Sequence, residues 1–263
     1  MIKPKASMSV KVDVTNPGQF FACCGLLELA DRMWSGAEGW FESAWFHISA
    51  GGELSELISN LSQAELLQLD PDDNTASPIA IGRPFRSLRL DWWHDERAGG
   101  RDLKVWAGTM ESLRIAKAMQ NAMRDERFHA ANLFDIGVIA YDPDNVDKKV
   151  EPFYFDARRG PNAHSRDVGF SPNDLQMTTT AFPPVELLCL VGLQRCLPRR
   201  ADQPRVYDYY TWAVPLLPSL CPAAVCGLLP HVGGLGFRFE NWYRTGQRKH
   251  KAFRSAIPIS NPR

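Results

Sequence analysis

The chain has 263 residues, 44% of them hydrophobic, and 30 Lys and Arg balance 30 Asp and Glu. That length and apolar content support a sizeable core and exclude global disorder. Charged residues interrupt every apolar run before the roughly 18 residues of a membrane span, and the N-terminus alternates where a secretory signal would be a block. A cytoplasmic protein with no membrane partner is the expectation.

Ser9 to Val14 alternates Val10, Val12 and Val14 with Lys11 and Asp13, the pattern of a half-buried strand. Asn16 and Pro17 then open a helix: Asn caps, Pro suits the first helical position, and Gln19 can reach back toward the cap. From Phe20 to Trp34 only Gly25, Glu28, Asp31 and Arg32 are not apolar, so this helix belongs in a core. Gly36 and Gly39 mark its end, and Ala44 to Ser49 reads as a second strand, giving a β-α-β start.

Glu53 to Leu69 reads as one or two short helices, with Ser62 and Glu65 as a capping box. Asp70 to Pro78 is a turn-rich loop, Phe85 to Trp93 a strand, and His94 to Lys104 a charged, exposed loop. Thr109 to Arg127 is an amphipathic helix with Leu113, Ala116, Met119 and Met123 on one face. Arg114, Lys117 and Arg124 lie roughly opposite, as a solvated face or a set of phosphate contacts.

Phe134 to Tyr141, Pro152 to Phe155 and Thr178 to Phe182 read as strands. Pro183-Pro184 opens a helix that Pro198 stops. Arg205 to Pro215, Gly236 to Tyr243 and Ala252 to Ile259 are β-rich, with a short helical run from Pro222 to Leu229. The predicted fold is α+β: a β-α-β start, a mixed or antiparallel sheet packed by several helices, and a C-terminal β-hairpin. One composite domain over 1–263 is expected, with a soft division near 183–200.

Three segments carry candidate chemistry. Phe155 to Asp167 holds Arg158, Arg159, Asn162, His164 and Arg166, donors that suit phosphate oxygens or base edges. A surface loop is the plainer reading, and catalysis by His164 with Asp156 or Asp167 the least supported. Gly233-Gly234-Leu235-Gly236 lacks the lysine and spacing of a P-loop and reads best as a turn. Arg238, Arg244, Arg248, Lys249, Lys251 and Arg254 stand against a single acid, Glu240, with Phe239, Trp242, Tyr243 and Phe253 interleaved. Cations bind the phosphate backbone and aromatics stack on bases, so this hairpin is the favoured nucleic-acid contact. From Arg195 onward 11 Lys and Arg face 3 Asp and Glu, an excess of +8. The six cysteines form no C-x-x-C pair and read as buried thiols, Cys221 and Cys226 being the nearest to a metal spacing. No metal or cofactor is expected.

The runs NPGQFFACCGLLELADRMW and FDARRGPNAHSRDVGFSPND resemble the CRISPR-associated Csb-three family of type I-G (formerly I-U) systems, a compact counterpart of the Cas-eight large subunit. The two runs cover about a sixth of the chain. The resemblance implies a non-catalytic subunit of an RNA-guided surveillance complex that recognises the protospacer-adjacent motif and helps recruit the helicase-nuclease. Its partners would be CRISPR RNA, target double-stranded DNA, a backbone subunit and a Cas-five/six-type subunit. Two rival readings remain: a CRISPR RNA-processing endonuclease using Gly233 to Phe237 with His164 or His231, and a scaffold docked through the first helix.

Overall fold

The computed structural model describes residues 3–107, 110–159, 179–244 and 248–260. The chain is α+β, as its sequence pattern implies. Strand β1 (Met8–Lys11) leads into α1 (Pro17–Met33), followed by β2 (Glu38–Glu42) and β3 (Trp45–Ser49). Strand β3 lies between β1 and β2 and is antiparallel to both. The opening β-α-β unit is therefore split by an inserted strand.

Asn16 caps α1, its side-chain oxygen accepting the Gly18 N–H at 3.1 Å. Gln19 departs from the capping-box expectation and takes the Asp13 N–H instead, at 2.8 Å. Every residue from Pro17 to Ala30 is buried. Gly39 is not a helix stop. It sits inside β2, where a Cβ would press on the Phe46 ring at 2.7 Å and on Leu27 at 3.0 Å. This close approach, invisible in a glycine count, explains why β2 escapes prediction.

The second long buried helix is α5 (Pro183–Arg195), with α2 (Leu54–Gln63), α3 (Gly100–Leu103) and α4 (Ser112–Ala122) between them in sequence. Helices α1 and α5 pack against each other through reciprocal glycines. A Cβ on Gly25 would lie 2.0 Å from the Leu188 carbonyl oxygen, and one on Gly192 would lie 1.9 Å from that of Phe21. At the far end of this contact buried Glu28 is gripped by Arg32, at 2.8 Å, and by Arg195.

A C-terminal sheet has the order β12-β11-β10-β9, built from β9 (Arg199–Arg200), β10 (Val206–Tyr210), β11 (Gly236–Tyr243) and β12 (Lys251–Phe253). Strand β13 (Ile257–Ile259) also pairs with β11, so β11 and β12 form the expected hairpin. The two sheets meet where Phe41 N–H donates to the Trp212 carbonyl at 2.8 Å. Phe20 joins helix to both sheets, 4.5 Å from the Tyr209 ring and stacked on Phe41 at 5.3 Å. A small antiparallel sheet, β4 (Leu66–Gln68), β5 (Ile79–Ile81) and β6 (Leu88–Leu90), and the pair β7 (Tyr141–Asp142) and β8 (Asn145–Lys149) complete the strands. The core runs from Met8 to Ala256, and the cysteines other than half-buried Cys226 are buried in it.

Several sequence expectations need correction. Ser62 opens no helix; it ends α2, its hydroxyl donating to the Ser59 carbonyl at 2.8 Å. Phe85 to Trp93 shrinks to three strand residues because Trp92 and Trp93 turn inward in a 3-10 helix. Phe134 to Tyr141 holds a 3-10 turn, and Pro152 to Phe155 forms no strand. Short strands closed by irregular segments carry too few residues for a period to register. No helix among the described residues is long and apolar enough to cross a membrane.

Candidate nucleic-acid interface

The Arg158 segment is fastened to the start of α1. The Asn16 side chain caps its helix and also accepts the Ala157 N–H, while its amide donates to Asp156, all at 3.1 Å. Asp156 is fully buried. Its two oxygens take the Arg158 guanidinium at 2.9 and 2.6 Å and the Arg158 N–H at 2.9 Å. The same guanidinium donates to the Phe134 carbonyl at 2.6 Å and lies 3.5 Å over the Phe182 ring. Arg158, expected to contact phosphate oxygens or base edges, is thus engaged within the chain. Its guanidinium neutralises a buried carboxylate, which would otherwise be uncompensated, and lies over the Phe182 ring. Arg159 has no partner for its Nε among the described residues. Asn162, His164 and Arg166 lie outside the described residues.

Glu186, in the first turn of α5, is buried beside Asp156 and accepts the Phe155 and Asp156 N–H groups at 3.2 and 3.1 Å. Burial pushes its pKa up to about 8, the neighbouring Asp156 adding to the rise and the backbone N–H groups opposing it. A carboxyl whose pKa rises on folding stabilises the native state below its unfolded value. That stability is lost as pH climbs through the folded value. Folding stability is therefore expected to fall between about pH 5 and pH 9, by an amount on the order of a few kcal/mol, and the thermal midpoint to fall with it. Glu186→Gln should flatten this fall. Parallel pH profiles for the two proteins would show that Glu186 is not the titrating group.

The C-terminal cations separate into committed and open groups. Arg238 is held by buried Asp208 at 2.6 and 2.9 Å, with Arg199 on the same carboxylate at 3.2 Å. Arg254 pairs with Glu240 at 3.4 Å and covers the Trp242 ring at 4.1 Å. Arg244 is only 5% exposed: its Nε donates to the Lys251 carbonyl at 2.9 Å, and its guanidinium lies 3.4 Å over the Tyr154 ring. Arg244 is thus a strut inside the hairpin, and its place in the predicted contact face is withdrawn. Burial pushes its pKa down, against the pull of Tyr154 and Glu151.

Arg248 and Lys249 are exposed at the hairpin end. Lys249 and Lys251 line a recess of about 360 Å³ with Arg101, Lys104, His94, Glu96, Trp93 and Trp106. Backbone bonds assemble it. Lys251 N–H donates to the Val105 carbonyl at 2.9 Å, and the Asn241 amide holds the Asp102 and Leu103 carbonyls at 2.9 and 2.8 Å. Strands β11 and β12 thereby carry two lysines up to the end of α3. Burial pushes the Lys251 pKa down to about 8; Asp102 opposes this, and Arg205 and Lys104 add to it. Lys104 is lowered chiefly by burial as well, with Asp73 opposing and Arg101 adding. Arg101 and Lys104 were missed because 94–104 reads as an exposed loop. The available signal was the apolar Leu103, Val105 and Trp106 flanking Lys104.

The α4 cations do not join this face. Arg114 is bound to Asp142, and Lys117 lines a cleft that also holds Glu111, Asp142 and Asp144. Arg124 is exposed and reaches the Ser62 carbonyl at 3.5 Å. The glycine-rich turn is structural: Gly233 has a positive φ of 67°, and a Cβ on Gly234 would lie 1.6 Å from the Thr211 oxygen. No described group of three or more His, Cys, Asp or Glu residues could hold a metal ion. No family model, curated protein or solved structure matches the chain.

Proposed function

We propose that the chain is a non-catalytic nucleic-acid-binding subunit of a CRISPR RNA-guided surveillance complex, contacting nucleic acid through the end of its C-terminal hairpin. The observation that carries this reading is that Lys249 and Lys251, from a C-terminal third with an excess of +8, line one recess with Arg101 and Lys104, while Arg248 next to Lys249 is exposed. Cations gathered in one recess lining suit phosphate contact better than base reading. The likeness of the two quoted runs to the Csb-three family supplies the CRISPR context. In that setting the chain stands as a large-subunit counterpart in motif recognition and target DNA binding.

Co-expression with the backbone and Cas-five/six-type subunits and a repeat array tests the assignment. The chain is expected to co-purify with CRISPR RNA in a stoichiometric assembly. Purification of the chain free of RNA and partners, with the other subunits assembling normally without it, would contradict the reading. Site-specific cleavage of repeat RNA by the isolated chain would instead favour the endonuclease.

A further inference from the structure

Four cations line the recess between α3 and β12, and its one carboxylate, Glu96, is 2.5 Å from Arg101. Three lysines, Lys104, Lys249 and Lys251, therefore face a small volume without a carboxylate partner in its lining. Lys104 is steadied by the Trp106 ring, 4.9 Å from its Nζ, and Lys251 by the Asp102 carbonyl. Trp93 and Trp106 form an apolar floor. Both rings are buried, and their N–H groups are bound to the Ala76 and Thr75 carbonyls at 2.7 Å, so neither offers a face to a base.

A volume of about 360 Å³ lies at the small end of ligand pockets and accommodates a group the size of one nucleotide. A phosphodiester brings a single charge, whereas a phosphate monoester carries about −1.5 to −2 near neutral pH and three strong acceptor oxygens. Three lysines in one recess lining match the monoester. We propose that this recess seats the terminal phosphate of a nucleic-acid strand, with Lys104, Lys249 and Lys251 on its oxygens and Arg101 at the rim. The inference rests on the reading above only for the polymer that carries the phosphate.

The full chain, without partners, is titrated with short single-stranded RNA and DNA oligonucleotides. These carry a 5′-phosphate, a 3′-phosphate or hydroxyl ends, with the fluorophore on the opposite end. One phosphorylated form is expected to bind about tenfold more tightly than its hydroxyl counterpart. Lys104→Ala and Lys249→Ala should each remove that preference, lowering the affinity of the phosphorylated strand more than that of its hydroxyl-ended counterpart, since they delete charge-assisted contacts to the terminal group. Lys249 is exposed, so its variant remains informative if Lys104→Ala fails to fold. Equal affinity for phosphorylated and hydroxyl-ended strands, or a preference that survives both variants, overturns the terminal-phosphate seat while nucleic-acid binding stands. If no strand binds, inorganic phosphate is the second probe. A rise in thermal midpoint for the wild-type chain but not for Lys249→Ala keeps a phosphate site and overturns the nucleic-acid carrier. No response to either probe overturns both.

Discussion

Gly25→Leu and Gly192→Leu are each expected to abolish folding, seen as loss of soluble protein or of a cooperative denaturant transition. The two glycines face each other across the α1–α5 contact. Each lacks the atom that would strike the opposite backbone, the carbonyl oxygens of Leu188 and Phe21 standing 2.0 and 1.9 Å from the Cβ positions. A carbonyl in the middle of a helix cannot rotate away without breaking its own bond, so the helices must separate. Separation would open the layer holding Phe20, Phe21, Leu188 and Val191, all fully buried. Overpacking ordinarily costs about 1–3 kcal/mol, and a clash against backbone at the centre of a core belongs in the tail above about 4–5. Even Gly25→Ala should be severe, because the Cβ itself is the offending atom. Gly36→Ala is the contrast. Its φ is 91° but nothing lies within 4 Å of the added carbon. The cost there should be the conformational one alone, about 1–2 kcal/mol.

Asp156→Ala is expected to destabilise the fold by about 3–5 kcal/mol, the usual cost of breaking one side of a buried ion pair. The carboxylate holds the Asn16 amide, the Arg158 N–H and the Arg158 guanidinium, and each would lose a partner. Asn16 would also lose one of the two bonds that tie the α1 cap to the 155–158 segment, keeping the one from the Ala157 N–H. Asp156→Asn keeps the shape and one acceptor and should cost clearly less. Chemical denaturation of the three proteins checks the order. If Arg158 were instead a free side chain contributing nothing to the fold, Arg158→Ala would leave stability unchanged and alter only DNA binding.

The elements legible in the sequence were those whose signal is local and repeated. Helix α1 announces itself by its cap, its proline and an unbroken apolar surface. Helix α5 does so by Pro183-Pro184 and the apolar run after it. The hairpin follows from alternation in Gly236 to Tyr243. What stayed hidden depends on partners distant in sequence. Arg244 and Arg248 look alike in a string of cations, yet the Tyr154 ring and the Lys251 carbonyl bury one and leave the other in water. Arg158 looks like a free fork because its acid, Asp156, is two residues away, while the burial that fixes the pair comes from Asn16 and Glu186. Glu186 itself is one acid in an apolar helix start, with nothing in its neighbours to reveal a pKa displaced by burial. Lys104 joins the basic recess only because Asn241 and Lys251 draw residues 102–105 onto β11 and β12.

The hairpin end is expected to bind nucleic-acid phosphate. The most direct test is the affinity of the chain for a double-stranded DNA fragment, measured across a salt series for wild type and for Arg248→Ala with Lys249→Ala. Log affinity is expected to fall linearly with log salt, because bound phosphates release counterions. The double variant should bind more weakly at low salt, with a slope shallower by about 1–2. Wild-type affinity independent of salt, or a double variant with unchanged affinity and slope, would contradict the account.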